Sequence, residues 1–489
     1  MPFLNCERPG LSLLALFKIT MKEPIATIIK DIRFWIILFF IIRMYAITNP
    51  PLEVGHNWRQ TDGLMIARNF YEQNANIFYP TVDVAGEKSG IVGSEFPILN
   101  YIIYLVSLIF GYEHWYGRLV VLIFASIGTL YFYKLIKRYF GESSALNASI
   151  LLLVSFWFSY SRKIIPDAFS ASLIIISLYY AFLYLDEGKL PHLLLFFVLA
   201  LMGCLSKILV ATILTVLVFP LFNSEIRLQR KIILSFFSLL ILVKVCWWYF
   251  VWVPYLNTTF EFGDHFFMGM SFREGIQAIG ENFGVVMKRL FETPFKYTGC
   301  AAFLAALFLI IRNRQWIKIG IFIVPYLAFL VLLLKTGAYI KGDTYYIITA
   351  IPAMAFITGC GLDYITNKKV VAAILFIVGV ESIASQIYDF RIREPYKSLA
   401  NLEGIMDSVS KRDDLIVINA DPHTPTAMYF AHRRGWCLLT PSLEDSVAMN
   451  NIKRRGCKYA VLATKLYGDA DLNYPIVHQS EYFKVYKLE

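Results

Sequence analysis

Long apolar runs separated by short polar connections dominate the chain from residue 34 onward. The runs are uninterrupted, whereas the strands of a transmembrane barrel alternate apolar and polar positions. One span needs about 20 apolar residues, so a single anchor on a soluble protein does not account for the pattern. The predicted spans cover residues 34–47, 115–133, 145–160, 168–185, 191–208, 209–222, 232–254, 298–311, 317–334, 344–361 and 370–388.

One further apolar run, residues 97–111, is too short to cross a bilayer. As a helix it reaches about 22 Å, against a hydrocarbon core of about 30 Å. We therefore expect it to lie at the membrane interface. Eleven spans remain, and the basic connections then fall on the cytoplasmic side, as retention of Lys and Arg predicts: Lys134/Lys137/Arg138, Arg227/Arg230/Lys231, Arg312/Arg314/Lys318 and Lys368/Lys369, with Lys18, Lys22, Lys30 and Arg33 before the first span.

The opposite, outer face receives the long polar loops, residues 48–114 and 256–297. In the second loop, apolar residues recur at helical spacing over 272–290 with charges between them, which predicts an amphipathic helix. It either lies on the membrane plane or packs against the protein. The apolar stretch 11–17 is too short for a convincing cleavable signal, so the first span is expected to act as an uncleaved anchor.

The composition changes at about residue 395, where helix-like and strand-like segments begin to alternate. This alternation is typical of a small α/β domain. The prediction is a membrane domain, 1–394, followed by a soluble domain, 395–489. The predicted elements of the latter are strands at 414–420, 436–440, 458–464 and 481–489, a helix at 425–435 ended by Gly435, and a helix at 442–456 with Ser442 or Asp445 near its cap.

Composition supports a polytopic α-helical membrane protein. The mean hydropathy is +0.56, and 17% of the residues are charged, against roughly 25% in a soluble domain. Cytoplasmic Lys and Arg account for most of the net charge of +10. The many predicted spans exclude a nucleic-acid-binding protein. No CxxC spacing indicates a metal site. Cys437 and Cys457 lie in the soluble domain and either form a disulfide or remain buried thiols.

Two acidic residues of the first outer loop stand near predicted helix starts. Asp62 lies in HNWRQTDGLMIARNFYEQ, residues 56–73, and Glu95 lies in GIVGSEFPILNY, residues 90–101. Helix capping and the helix dipole explain an acid at such a place with about 1 kcal/mol. Alternatively, the two carboxylates face one cavity and serve in catalysis.

Further polar residues fall on the same face. Arg162 and Asp167 lie in SRKIIPDAFS, and Lys207 lies between two apolar runs. A cation there is costly unless it snorkels to the membrane surface or meets an anion. Lys341 and Asp343 precede Tyr345 and Tyr346, where an aromatic belt explains the tyrosines as well as sugar stacking does.

Carboxylates suit deprotonation of an acceptor hydroxyl, and cations suit neutralisation of a departing phosphate. At these residues the chain resembles the multi-spanning GT-C glycosyltransferases that use lipid-phosphate sugars, including protein O-mannosyltransferases and the aminoarabinose transferase of lipid A. The resemblance covers residues 56–210 and 338–362, through TDGLMIAR, SEFPILNYI, WYGRLVVL, KLIKRYFG, SRKIIPDAF, LSKILV and YYIITAIPAMAFITGCGLD.

The resemblance implies a GT-C-like fold and transfer of a sugar from a polyprenyl phosphate to a hydroxyl acceptor, with inversion. It implies catalytic roles for Asp62 as base, for Glu95 and for Asp167. The other implied residues are Lys207, Arg162, Lys341 and Arg68 as ligands of the donor phosphate, and Trp58, Tyr345, Tyr346 and Asp343 as substrate contacts. The family's paired Asp-Glu reads Asp62-Gly63 here, so Glu95 is expected to supply the second carboxylate.

The leading hypothesis is therefore an integral-membrane glycosyltransferase whose acceptor is a lipid, a glycan or a protein. A protein O-mannosyltransferase is the alternative within the class, and a lipid-linked glycan transporter or flippase is the alternative outside it. A flippase needs polar residues through the membrane midplane. The predicted midplane is almost wholly apolar, with Lys244 as the chief exception, so the pattern favours the glycosyltransferase. We expect the bacterial inner membrane, with the site facing the periplasm. Three carboxylates leave a divalent cation possible, although no metal ligand set is predicted.

Overall fold

The computed structural model describes residues 27–263 and 269–488 of the chain. The predictions for Lys18, Lys22 and the stretch 11–17 lie outside these residues. Within them, each of the eleven predicted spans coincides with a helical segment. Six helices are long and apolar enough to cross a membrane: Tyr116–Phe140, Pro166–Glu187, Leu228–Thr259, Phe283–Arg312, Trp316–Lys341 and Lys368–Phe390.

The other membrane helices are shorter. Four of the predicted spans correspond to the apolar helices Glu142–Val154, Leu190–Ser206, Ile208–Phe222 and Ile351–Leu362, and the first span corresponds to Ile32–Arg43. A short helix, Trp157–Tyr160, and a 3-10 segment, Thr344–Thr349, connect membrane helices. The prediction of a polytopic α-helical membrane protein is confirmed.

The helix Pro166–Glu187 lies at the centre of the bundle, and 16 of its 22 residues are buried. Small side chains let its neighbours approach closely, as is usual between membrane helices. A Cβ atom at Gly128 of the adjacent helix would lie 2.7 Å from the Cβ of Ser172. This central helix begins at Pro166, so Asp167 lies in its first turn, at one end of the bundle.

Two helices before the second predicted span form the first outer loop: Asn57–Glu72 and Ile98–Phe110. The second is the segment assigned to the interface, and it extends about 20 Å. It ends at Gly111, whose φ of 80° is readily adopted by glycine.

The amphipathic segment of the second outer loop is also helical. The helix Phe272–Glu281 begins with a capping box between Ser271 and Glu274. Phe272, Ile276 and, in the next helix, Phe283 are exposed, which supports contact with the membrane surface. The helix Phe283–Arg312 is interrupted at Lys296, so its outer half is separate from its membrane half.

The C-terminal domain contains five strands: β1 Leu415–Asn419, β2 Gly435–Leu438, β3 Cys457–Ala463, β4 Ile476–Gln479 and β5 Phe483–Lys487. They form one sheet of order β2-β1-β3-β5-β4. Strand β1 pairs in parallel with β2 and β3, whereas β5 is antiparallel to β3 and β4. The helices are Leu402–Val409, Thr426–Ala431, Thr440–Glu444, Ser446–Arg454 and Thr464–Tyr467, after short turns at Glu394–Lys397 and Ser398–Asn401.

Two predictions for this domain need correction. The predicted helix 425–435 ends at Ala431, and His432 follows it with a φ of 48°, because Gly435 already pairs with Ile416 as the first residue of β2. The predicted helix 442–456 is two helices, Thr440–Glu444 and Ser446–Arg454, separated by the extended residue Asp445. Strand β4 was not predicted, because its residues are mostly exposed and follow no alternating pattern. Of the two predicted cap residues, Ser442 and Asp445, it is Asp445 that caps the helix Ser446–Arg454. Cys437 and Cys457 are buried and do not form a disulfide.

Candidate active site

Asp62 and Arg59 lie one turn apart on the helix Asn57–Glu72, so their side chains share a face. Arg59 Nη1 donates to Asp62 Oδ2 at 2.8 Å, and its Nη2 donates to Glu95 Oε2. Arg59 therefore joins the two carboxylates that the sequence placed in one loop. The Asp62 side chain is 25% exposed, which leaves it accessible to a substrate.

Lys207 brings a third segment to this point. It lies in extended conformation between the helices Leu190–Ser206 and Ile208–Phe222. Its amine donates to Glu95 Oε1 at 2.5 Å and lies 3.8 Å from Asp167 Oδ1. Lys207 thus meets the anions that a cation between apolar helices requires.

Residues after the ninth predicted span complete the group. The Lys207 amine lies 5.4 Å from the ring centroid of Tyr345 and 5.3 Å from that of Tyr346. Asp343 Oδ1 lies 3.8 Å from His56 Nδ1, and the His56 ring contacts Tyr345. We call Arg59, Asp62, Glu95, Asp167, Lys207 and Asp343 the acidic cluster.

The acidic cluster has more carboxylates than cations. Four acids face two basic side chains, and His56 adds no charge, because burial, with Lys163 and Arg59 nearby, lowers its pKa to about 3. Burial alone would raise the pKa of Glu95, but Lys207 and Arg59 outweigh it and lower that pKa. Burial raises the pKa of Asp343. A cluster with this balance attracts positive charge and hydroxyl donors.

Asp167 is the most deeply placed acid of the group. It is 1% exposed, and neither carboxylate oxygen has a hydrogen-bond partner within the part of the chain that the structure describes. A buried carboxylate is normally hydrogen-bonded or paired. The side chain is therefore suited to accept a hydrogen bond from a substrate hydroxyl.

Three of the basic residues expected to bind phosphate do not join the cluster. Arg68 is buried and donates to Asp83 Oδ2 at 3.0 Å and to the Tyr429 carbonyl. Arg162 is buried and donates to Glu53 at 2.8 Å and to backbone carbonyls. Lys341 donates to Asn282 Oδ1 at 2.9 Å and is exposed. The first two have protein partners in place of a phosphate, so we assign them structural roles.

Arg59 is the cluster residue that the sequence reasoning missed. The available signal was its spacing of three residues from Asp62 in a predicted helix. Among the described residues, no group of three or more His, Cys, Asp or Glu side chains can hold a metal ion. The acids are linked through Arg59 and Lys207 and do not converge on one point.

Residues 94–250, about a third of the chain, match the family model of dolichyl-phosphate-mannose-protein mannosyltransferase. A search of curated protein sequences finds no match.

Solved structures establish the fold. ArnT from Cupriavidus metallidurans bound to undecaprenyl phosphate matches with a TM-score of 0.60 at 14% identity, over 93% of this chain and 98% of that chain. The oligosaccharyltransferase from Archaeoglobus fulgidus, in complex with Zn and sulfate, matches with a TM-score of 0.52 at 10% identity, over 88% of this chain and 67% of that chain. The chain therefore has the fold of these two proteins, and its residues 94–250 are similar to the mannosyltransferase family.

Proposed function

We propose that this protein transfers a sugar from a polyprenyl phosphate to a hydroxyl acceptor, with inversion, at the acidic cluster. The observation that carries the proposal is that Arg59 and Lys207 link Asp62, Glu95 and Asp167, with Asp343 nearby beside His56. These four acids come from four separate segments of the chain. The similarity to ArnT, which was crystallised with undecaprenyl phosphate, supports a lipid-phosphate donor.

Asp62 is the proposed base. Its carboxylate is held by Arg59 and is accessible, so it can take the proton of an acceptor hydroxyl as that oxygen attacks the sugar. Glu95 orients the acceptor from the other side of Arg59. Asp167 accepts a hydrogen bond from a sugar hydroxyl, for which its oxygens have no competing donor among the described residues.

The excess of carboxylates also favours the reaction. Glycosyl transfer passes through an oxocarbenium-like state that carries positive charge on the sugar. Anions already fixed around that position stabilise it without reorganisation. The same excess repels a phosphate, so we propose that Lys207 fixes Glu95 and Asp167, in place of the phosphate-binding role that the resemblance implied.

The positive-inside pattern supports an outer, periplasmic location for the cluster in a bacterial inner membrane. The acceptor is a lipid, a glycan or a protein. A protein O-mannosyltransferase is the second candidate, because the matching family model describes enzymes that use dolichyl-phosphate mannose on proteins.

The test is mass spectrometry of lipids retained by the purified protein, followed by incubation with membrane extract. In Asp62→Asn we expect a sugar-loaded polyprenyl phosphate to accumulate and transfer to be lost. The control is Glu113→Gln, which alters an exposed acid of the same outer loop outside the cluster. Transfer by Asp62→Asn at the wild-type rate would eliminate the base assignment. Retention of a pyrophosphate-linked oligosaccharide would favour an oligosaccharide ligase or a flippase, and the mass of the retained sugar would identify a hexose such as mannose.

A further inference from the structure

A polar cavity of about 430 Å³ lies beside the acidic cluster. Its walls come from the start of the helix Asn57–Glu72, from the outer half of the helix Phe283–Arg312 and from the end of the helix Lys368–Phe390. His56, next to Asp343 of the cluster, and Trp58, next to Arg59, both line it. The cavity therefore adjoins the site already described but has its own lining.

The charge of this polar cavity is opposite to that of the cluster. Two cationic side chains, Arg289 and Lys296, line it together with one carboxylate, Asp389. Asp389 accepts a hydrogen bond from Ser159 at 3.0 Å. Arg289 Nε is buried and has no hydrogen-bond partner among the described residues. Lys288, its neighbour in sequence, instead pairs with Glu292 at 3.3 Å on the same helix and does not line the cavity.

The backbone holds Lys296 in a conformation that only glycine adopts readily. Its φ is 57° and its ψ is −163°, and such strain persists only where the surrounding structure enforces it. On one side, Phe156 N donates to the Pro294 carbonyl at 2.9 Å. On the other, the Glu381 carboxylate accepts from the backbone N–H groups of Tyr297 and Thr298. Both anchors fix Lys296 at the cavity wall, and strain of this kind concentrates at ligand sites.

The surroundings suit a lipid phosphate. The helix that precedes Arg289 exposes Phe272 and Ile276, as a helix at the membrane surface does. Arginine and lysine at headgroup depth bind phosphate through charge-assisted hydrogen bonds.

From the unpartnered Arg289 Nε and the strained Lys296 beside the acidic cluster, we infer that the polar cavity binds the phosphate of a lipid-linked substrate through these two cations. The inference rests on the proposed function for the presence of a lipid-linked substrate. The phosphate belongs to the carrier of the donor or to a phosphorylated lipid on the acceptor side.

The test measures binding of defined lipids to the full-length protein in phosphatidylcholine nanodiscs. The probes are undecaprenyl phosphate, undecaprenol, which lacks the phosphate, and phosphatidic acid. Arg289→Gln and Lys296→Gly remove one charge each, and glycine also suits the backbone at position 296. Lys288→Gln removes a charge from the same helix, and Lys296→Arg keeps the charge in the cavity.

We expect Arg289→Gln and Lys296→Gly to weaken binding of a phosphate-bearing probe by about tenfold or more. Undecaprenol should bind equally to all variants, and Lys288→Gln and Lys296→Arg should resemble the wild type. If the variants lose binding of undecaprenyl phosphate alone, the cavity binds the phosphate of the donor carrier. If they lose binding of phosphatidic acid alone, the cavity binds the phosphate of an acceptor lipid or of a membrane headgroup. If they lose binding of both probes, the cavity binds the phosphate of either lipid.

Unchanged affinity for both phosphate probes in a folded Lys296→Gly protein would overturn the inference. An equal loss in Lys288→Gln would also overturn it, because the effect would then be one of overall charge. Asp62→Asn should bind the probes normally. If that variant also transferred sugar normally, the proposed function would fail while the binding result would stand.

Discussion

Lys207 lies between two apolar helices, where a cation needs anionic partners, and its partners come from elsewhere in the chain. Glu95 precedes the interfacial helix, and Asp167 begins the central one. Removing one member of a buried ion pair leaves the other charge uncompensated, which is more damaging than removing both. The three side chains are therefore expected to be energetically coupled.

A double-mutant cycle tests this coupling. Lys207→Met should destabilise the protein by about 3 kcal/mol, because Asp167 and Glu95 then lose the cation that they share. Lys207→Met with Asp167→Asn should recover part of that loss, since both buried charges are gone. Thermal unfolding in detergent measures both effects. Strict additivity of the two single changes would show that the pair is not coupled.

Of the three acids predicted to be catalytic, Asp167 lies in the first turn of its helix, Asp62 lies in the second turn of Asn57–Glu72, and Glu95 precedes Ile98–Phe110. The sequence placed all three on one face of the membrane, and the structure links them through Arg59 and Lys207. Their catalytic roles stay predictions. A basic residue carries no comparable signal. Arg68 and Arg162 bind partners distant in sequence, Tyr429 and Glu53, so their burial could not be predicted from neighbouring residues.

At the scale of elements, one histidine connects the helix of the proposed base to the C-terminal domain. His432 Nε2 lies 2.8 Å from Glu72 at the end of the helix Asn57–Glu72, and its Nδ1 lies 2.8 Å from Glu403. Burial opposes the imidazolium, but the two carboxylates outweigh burial and the nearby Arg68, and they raise the pKa of His432. The hydrogen bond from His432, with that from Arg412, lowers the pKa of Glu403 to about 2.

This link should depend on pH. Because the folded-state pKa of His432 is raised, its contribution is complete below the ordinary value of 6.5 and is lost as the pH rises through the folded value. The contribution of Glu403 is complete above its ordinary value of 4.5 and is lost as the pH falls toward about 2. The contact is therefore strongest between these two ordinary values.

His432→Asn should remove this dependence while keeping a residue that tolerates the positive φ. Between pH 6 and pH 9, the wild type should lose about 1 kcal/mol of stability relative to the variant, a modest amount because the pair is partly exposed. His478→Asn on strand β4 is the control, since its Nε2 has no hydrogen-bond partner among the described residues. Parallel pH profiles for wild type and His432→Asn would refute the link.

At the scale of the whole molecule, the pattern of apolar runs was sufficient to predict where the apolar helices lie along the chain, whereas the interfacial position of Ile98–Phe110 stays a prediction. It was not sufficient for the position of the C-terminal domain. That domain packs on the first outer loop through two backbone hydrogen bonds. Gly86 N donates to the Gly435 carbonyl at 2.7 Å, and Gly435 N donates to the Asp83 carbonyl at 2.9 Å. Backbone contacts of this kind leave no trace in the side-chain pattern.

Arg68 gives a test of whether this packing supports the site. Its guanidinium joins Asp83 of the loop to the Tyr429 carbonyl of the C-terminal domain, and all of these groups are buried. Arg68→Ala should destabilise the packed domain by about 3 to 5 kcal/mol, because Asp83 is left as an unpaired buried charge.

Limited digestion with chymotrypsin should therefore release the C-terminal domain of Arg68→Ala faster than that of the wild type. Lys397→Ala removes an exposed ion pair, with Glu394, at the start of the same domain and should change the rate little. Thr61 contacts Thr426 at 3.2 Å directly beside Asp62, so loosening of the domain should also lower sugar transfer, although Arg68 lies outside the acidic cluster. Faster release with unchanged transfer would show that the domain does not position Asp62.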